Sequence, residues 1–451
     1  MVSFYKPARK TAAASTKAIT PVTVDVLDMN GVGVCRGHKP ILFVEGALPG
    51  EQVKAKITSS QKQMARASVK QVTQGSPYRR QPFCPVYQQC GGCQLQHADP
   101  DYALQERQQA MADYWRHQLK LTDLPWQPPL TGPRPAYRRK ARLAIDGRQP
   151  GQVRLGYRQQ GSKNIVDIPQ CPVLVSELQQ LIKPLKTLLN AFANSRHLGH
   201  LHLLAGDNVV EVSINTSRDL SDAMLNAWQD FGVEHGCNVV LEDSHGQQRL
   251  LHHHATLRCY TEDDLYLTPA PQDFVQVNRQ VNQAMIAQAM HWLDPQPHDV
   301  IADWFAGLGN FSLSLARRCA QVQAVEGVAA MVHKGQANAQ EQGIASIDWC
   351  QLDLNDAAAV QGALAVNFDK MVLDPSREGA STVCQALAGA PVEQVLYVSC
   401  NPSSFTRDAG YLLEAGYTVE KIGLIEMFPY TRHLEVMALF TFQARPTKKA
   451  S

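Results

Sequence analysis

The sequence predicts an α/β protein: a doubly wound, Rossmann-like parallel sheet near the C-terminus, a small OB-like β-barrel near the N-terminus and a mixed α+β segment between them. Three observations carry this expectation. Residues 295–445 alternate apolar strand patterns with helical stretches, the signature of βαβ units. Residues 18–74 hold five β-rich segments separated by turn signals, a spacing that suits a small barrel. The apolar run 394–398 passes directly into Ser399-Cys400-Asn401-Pro402, a strand that ends in a turn.

The chain has 451 residues and is 44% hydrophobic, enough for several domains with sizeable cores. No apolar run approaches the length of a membrane span, so no membrane partner is expected. The basic N-terminus, Met1 to Lys10, lacks an apolar stretch of the kind a secretory signal needs, and a cytoplasmic location is expected. Eleven cysteines in such a chain point to metal binding or catalysis, not disulfides. The net charge of +2 conceals an asymmetry: residues 1–80 carry 13 Lys and Arg against 4 Asp and Glu, so +9, and the rest sums to −7. A basic N-terminal module on a mildly acidic body suits a polyanion, with nucleic acid as the expected partner.

In chain order, 1–17 reads as a disordered basic tail and 18–75 as the barrel. In its fourth segment Lys54 and Lys56 alternate with Val53, Ala55 and Ile57, so both lysines share one face. Residues 76–275 form the central segment, with the proline-rich joint Trp126-Gln127-Pro128-Pro129. Within it, Arg138, Lys140 and Arg142 would share a strand face beside Tyr137, either as a phosphate-contacting stripe or as charges guarding an edge strand. His252-His253-His254 reads as an exposed polar loop in preference to a metal site. The doubly wound domain occupies 276–445 and a short tail 446–451. Its strands are expected at 299–305, 322–326, 347–352, 370–374, 394–398, 419–425 and 436–440. No helix separates the last two, so they should pair antiparallel.

The loop after the first of these strands reads Asp303-Trp304-Phe305-Ala306-Gly307-Leu308-Gly309-Asn310. Gly307 and Gly309 allow close approach of a ligand at a helix start. The third glycine of a dinucleotide fingerprint is replaced by Ser312, so a ligand without a pyrophosphate is expected. Glu326, at the end of the second strand, suits ribose hydroxyls. Asp353 could meet an adenine edge or serve as a helix N-cap. Asp374, in Asp374-Pro375-Ser376-Arg377, could contact a base edge or the cofactor. A strand-end cysteine such as Cys400 is often only apolar filling. Paired with a base in one pocket it could instead add to carbon 6 of uracil and make carbon 5 nucleophilic. Glu435 is the candidate base, with His433 two residues before it.

These motifs together resemble the RNA uracil-C5 methyltransferase family: F-x-G-x-G, D-P-x-R, S-C-N-P and H-L-E occur in that order, preceded by Asp273-Phe274-Val275-Gln276-Val277-Asn278. The barrel resembles a TRAM domain. The resemblance implies a methyltransferase fold using S-adenosylmethionine, with Cys400 as nucleophile and Glu435 as general base. It implies cofactor contacts at Gln276, Phe305, Asn310, Glu326, Asp353 and Asp374, alongside Gly307 and Gly309. The loop departs from the common family pattern at Ala306, where relatives often carry cysteine.

Cys84, Cys90 and Cys93, with a distant Cys171, make a four-thiolate set compatible with zinc or with a [4Fe-4S] cluster. Their pattern, C-x5-C-G-G-C with a remote C-P, is similar to that of the family branch that modifies 23S ribosomal RNA. The resemblance therefore implies a [4Fe-4S] cluster, 23S ribosomal RNA as partner, a flipped uridine and a monomer. Alternatives are the same chemistry on a transfer RNA or on another ribosomal uridine, an RNA-binding assembly factor with vestigial chemistry, and an iron–sulfur redox enzyme.

Overall fold

The computed structural model describes residues 20–262 and 264–443; the expected tails 1–17 and 446–451 lie outside the described residues. The chain divides into two compact units: residues 1–82 with 94–113, and 83–93 with 114–451. Among the described residues no helix is long and apolar enough to cross a membrane.

The first unit carries a six-stranded sheet in the order Thr20–Thr23, Gln52–Ser60, Met64–Gln74, Ile41–Glu45, Gly33–Cys35, Val26–Leu27. The first expected segment is broken in two. The Val24 N–H leaves the ladder to bond the Glu51 carbonyl, and the Asp25 carboxylate accepts the Arg36 N–H at 2.6 Å. Val24, Leu42, Val44, Val53, Ala55 and Ala67 alternate inward to form the core. Lys54 and Lys56 share the exposed face, as the alternation predicts.

Glu51 is wholly buried in this unit. Burial pushes its carboxyl up, yet the Arg79 guanidinium and the N–H groups of Leu48 and Ser76 hold it below the usual range. Arg79 Nε stands 2.5 Å from Glu51 Oε1, and an Arg79 Nη2 hydrogen also reaches the Gly46 carbonyl at 2.7 Å.

The second unit contains two seven-stranded sheets. The central one runs Gln248–His252, Asn238–Glu242, Val210–Thr216, Leu198–Ala205, Lys140–Asp146, Arg154–Arg158, Ile165–Asp167. Its inner face packs Leu143, Leu155, Leu201, Leu203 and Val212 with Leu178 and Leu185 of the helix Ser176–Ala191 and with Trp228. The expected cationic stripe is dismantled here. Only Arg142 is exposed; the Lys140 ammonium bonds the Asp273 carbonyl, and Arg138 lies among Tyr137, Tyr157, Cys93 and Cys171.

The C-terminal sheet has the order Ile347–Gln351, Gln321–Glu326, Val300–Trp304, Lys370–Leu373, Gln394–Ser399, Glu435–Phe442, Tyr417–Ile425. The first five strands are parallel and Glu435–Phe442 is antiparallel to both of its neighbours. Val322, Val372, Leu396 and Val398 are fully or almost fully buried, which is why these strands read as continuous apolar runs. The proline-rich joint is more than a linker. The Gln127 N–H donates to the Ile422 carbonyl at 2.7 Å and the Leu130 N–H to Leu424 at 2.8 Å, so this segment covers the sheet's edge strand.

One stability prediction follows from the first unit. Arg79→Met should strip a buried carboxylate of its partner and cost about 3 kcal/mol, the lower end for a broken buried pair because Arg79 is partly exposed. Because the folded state lowers the Glu51 pKa, its contribution is present above the ordinary carboxyl pKa of 4.5 and is lost as pH falls through the lower folded value. Urea titrations of wild type and R79M should therefore converge in acid; a gap unchanged by pH would contradict this account.

Candidate active site

The site lies at the carboxyl ends of the parallel strands, where an open α/β sheet places its ligands. Strand pairing assembles its centre. Ser399 pairs with Val436 in the antiparallel ladder, so one step outward Cys400 meets Glu435. Leu373 pairs with Tyr397, which brings Asp374 to the same rim.

The turn at Cys400 follows from its neighbours. Asn401 is extended, with φ −138° and ψ 102°, because Pro402 disfavours the helical region before it. Its side chain caps the helix Pro402–Glu414 by accepting the Ser403 N–H at 3.1 Å. The same side chain donates from Nδ2 to the Arg377 carbonyl at 2.8 Å, and Ser404 Oγ donates to that carbonyl at 3.0 Å. The turn after Cys400 is thus fastened to the Asp374-Pro375-Ser376-Arg377 loop.

Cys400 is half-buried. Burial, then the Glu435 and Asp374 carboxyls, push its thiol up to about 11, against a smaller opposing pull from the Arg377 guanidinium. Glu435 is 4% exposed, and its Oε2 has no hydrogen-bond partner in the protein. Burial and the nearby Asp374 raise its pKa well above the carboxylate range. Asp374 is pushed up to about 7 by burial and by Asp303. His433 is exposed. Its ring lies tilted by 53° against Phe428 with centroids 5.0 Å apart, and Arg377 Nη2 stands 3.3 Å from its Nδ1.

The glycine loop is shaped for close approach. Phe305, Gly307 and Gly309 all have positive φ, of 67°, 58° and 97°. A side chain at Gly309 would come within 3.1 Å of the Trp349 ring, in addition to the backbone strain. Glu326 Oε2 accepts the Gly307 N–H at 3.1 Å and its Oε1 accepts the Val328 N–H at 3.0 Å. Asn310 exchanges 3.0 Å hydrogen bonds with Asn282 on the helix Arg279–Leu293, whose N-cap is Asn278. Gln276 is buried with Oε1 unpartnered, and the Arg139 guanidinium holds its carbonyl at 2.9 Å.

Asp353 stands apart on the exposed rim, where its carboxylate accepts the Asn355 N–H at 2.9 Å. The helix N-cap is Asp356, which accepts from Ala358 and Ala359, so capping does not account for Asp353. Sequence reasoning missed Asp303. It is 1% exposed, accepts from Ser312 Oγ at 2.5 Å and leaves Oδ1 unpartnered, with its pKa pushed up to about 7 by burial. An aspartate closing a buried strand just before a glycine loop was the available signal.

The four cysteines of the expected metal set all lie in the second unit. Cys90 bridges to Gln159, and the Gly91 N–H bonds the Arg158 carbonyl at 3.1 Å, which pins the C-G-G-C loop to the strand Arg154–Arg158. Cys171 is pushed up to about 11 by burial, with Cys90 and Cys84 contributing. The thiols are near enough to bias one another. Among the described residues, though, no group of three metal-ligating side chains could hold a metal ion, so this arrangement supports neither zinc nor a [4Fe-4S] cluster. The Tyr157 hydroxyl is buried beside Cys171, Cys90 and Cys93 without a hydrogen-bond partner in the protein. His253 and His254 are exposed, as expected, whereas His252 ends the strand Gln248–His252 and is half-buried against Gly232.

Comparison with known proteins places this geometry. Residues 133–442 match the tRNA (uracil-5-)-methyltransferase family, and residues 18–70 match the TRAM domain. The chain is 51% identical, over 94% of its length and 89% of the relative's, to the 23S rRNA (uracil(1939)-C(5))-methyltransferase RlmD of Alteromonas naphthalenivorans. It is 38% identical to the RlmD of Klebsiella pneumoniae (strain 342), over 98% of this chain and 99% of that one. In fold it is similar to the tRNA (uracil-54, C5)-methyltransferase of Pyrococcus abyssi, solved with S-adenosyl-L-homocysteine. The TM-score is 0.71 at 21% identity, over 94% of this chain and all of that one. With a strand-end cysteine set against a buried glutamate, and a family match covering most of its length, the chain belongs to the tRNA (uracil-5-)-methyltransferase family.

Proposed function

We propose that this protein uses S-adenosylmethionine to methylate carbon 5 of a uridine in 23S ribosomal RNA, through a transient bond between Cys400 and carbon 6. The observation that carries this reading is the register that sets Cys400 beside Glu435. Its near full-length likeness to 23S enzymes favours ribosomal over transfer RNA. The work is expected in the cytoplasm, by a monomer.

The residues divide the work as follows. Cys400 gives up its S–H proton to solvent and Sγ adds to carbon 6, so that the carbon 5–carbon 6 π pair gathers toward carbon 5 as an enolate-like nucleophile. Bound S-adenosylmethionine supplies the electrophilic methyl group. Gln276, Phe305, Gly307, Gly309, Asn310, Glu326, Asp353 and Asp374 would hold it. The unpartnered Gln276 Oε1 and Asp303 Oδ1 suit a ligand rich in donors. Glu435 then removes the carbon 5 proton. That C–H pair forms the carbon 5–carbon 6 double bond, and the sulfur leaves with the pair of the C–S bond. A buried carboxylate of raised pKa is a stronger base here than an exposed one. A uridine must leave its stack to reach Cys400, and Phe274, 64% exposed and two residues before Gln276, offers a stacking face.

Cys84, Cys90, Cys93 and Cys171 are proposed to hold a [4Fe-4S] cluster. Two features support a sulfur-rich guest: the unpartnered Tyr157 hydroxyl among the thiols, and the small Gly91-Gly92 turn, where a side chain on Gly92 would lie 3.4 Å from Cys90 Sγ. Methyl transfer needs no electrons, so the cluster is assigned a structural or RNA-positioning part.

With 5-fluorouridine-substituted ribosomal RNA and S-adenosylmethionine, the wild type should form a covalent complex that survives denaturing gels. Cys400→Ala should form none, and an equal complex would reject the nucleophile. Glu435→Gln should accumulate the methylated adduct on ordinary RNA, with release slowed at least about 100-fold, the lower range of general-base catalysis. Because burial raises the Glu435 pKa, release should slow on the acid side at a pH above the ordinary carboxylate range; a limb near pH 4.5 would contradict the buried-base reading. Anaerobically purified protein should carry four irons and four sulfides per chain by elemental assay, as a [4Fe-4S] cluster requires. Stoichiometric zinc instead would overturn the cluster assignment.

A further inference from the structure

We propose that Tyr137, assisted by Phe83, is a positioning residue that ties the cysteine site to the loop carrying the general base. The inference rests on the reading of Glu435 as that base. Strands Tyr417–Ile425 and Glu435–Phe442 are joined by residues 426–434, so this connection decides how Glu435 enters its strand. Within it Tyr430 has φ 65°, a left-handed conformation that a bulky residue keeps only when its surroundings impose it.

Two contacts impose it. The Tyr137 hydroxyl donates to the Pro429 carbonyl at 3.2 Å, and the Phe83 ring meets the Tyr430 ring edge-on at 5.1 Å. Tyr137 is 3% exposed, so its ring has little freedom to swing away. Both residues are anchored beside candidate cluster ligands. Phe83 immediately precedes Cys84. The Ala136 N–H bonds the Pro172 carbonyl at 3.0 Å and the Tyr137 N–H bonds Val173 at 3.1 Å, which hangs this segment on the stretch just after Cys171. Cys171 and Tyr137 share one hydrophobic core, and Cys93, Phe428 and Tyr430 pack against it.

The far side of the loop continues toward the base. Thr431 Oγ1 donates to the Phe428 carbonyl at 2.9 Å and accepts the His433 N–H at 3.2 Å, two residues before Glu435. Hydrogen bonds tie Val173 to Tyr137 and Tyr137 to Pro429, the Phe428–Pro429 peptide passes to Phe428, and hydrogen bonds tie Phe428 to Thr431 and Thr431 to His433, two residues of chain before the base. Cys400 is fastened through backbone, by Asn401 to the Arg377 carbonyl, whereas Arg377 meets the loop through its side chain at the exposed His433 ring. A disturbance at the cysteine site should therefore reach proton removal and leave thiol addition and methyl transfer alone.

Tyr137→Phe removes one hydroxyl and tests this. In single turnover on ordinary ribosomal RNA with S-adenosylmethionine, methyl incorporation should stay within twofold of wild type. Release of the methylated RNA should slow about fivefold to tenfold, the scale of one lost hydrogen bond, and a covalent band should build up in denaturing gels. Phe83→Leu should slow release in the same direction, and so should Cys171→Ser, which disturbs the anchor behind Tyr137. Equal slowing of incorporation and release, or no slowing of either, overturns the positioning role. Slow release in Tyr137→Phe with normal release in Cys171→Ser overturns the tie to the cysteine site. Fast release by Glu435→Gln would instead reject Glu435 as the base, a separate outcome.

Discussion

The antiparallel pairing of the last strand is the constraint on which the chemistry depends. A wholly parallel sheet would present Cys400 and Asp374 at its carboxyl rim with no acid delivered from a sixth strand. Because Glu435–Phe442 runs the other way, its amino end reaches that rim, and Glu435 enters beside Cys400. Register matters as much as direction. A slip of one residue would turn the Glu435 side chain to the opposite face of the sheet. The fully buried Val436, Met437, Ala438, Leu439 and Phe440 make such a slip costly, so the same apolar contacts that stabilise the sheet also keep Glu435 beside Cys400.

Burial then sets the electrostatics. Asp303, Asp374 and Glu435 lie close enough that Asp303 raises Asp374, and Asp374 raises Glu435 and Cys400. Carboxyls so arranged resist ionising together, and they favour protons and donor-rich ligands over bulk water. The same field disfavours a standing thiolate at Cys400.

Much of this was legible in the residues. The seven C-terminal strands fell where the apolar runs placed them, the central ones because strands buried on both faces announce themselves without alternation. The turn at Cys400 and the left-handed glycine loop were legible because Pro402 disfavours the helical region before it and paired glycines permit positive φ. What escaped had a physical reason. Arg138 and Lys140 alternate like surface charges, yet one is drawn in among Tyr137, Tyr157 and cysteines far away in sequence, and the other is held by a carbonyl at Asp273. Asp303 looked like an ordinary strand residue, because its burial depends on neighbours that sequence order does not reveal. The break at Val24 is likewise set by the carbonyl of Glu51, a residue outside its own segment.

The segment from Trp126 to Leu130 gives the second unit a dependence between distant stretches of chain. Its main-chain hydrogen bonds to Ile422 and Leu424 occupy the outer side of the C-terminal sheet's last-placed strand. The sheet is therefore sealed by residues nearly three hundred positions upstream of the strand they cover. A fragment beginning at residue 276 would leave that strand's N–H and C=O groups open to other chains and would favour edge-to-edge association. The C-terminal sheet thus depends on a segment far upstream to close its own edge strand.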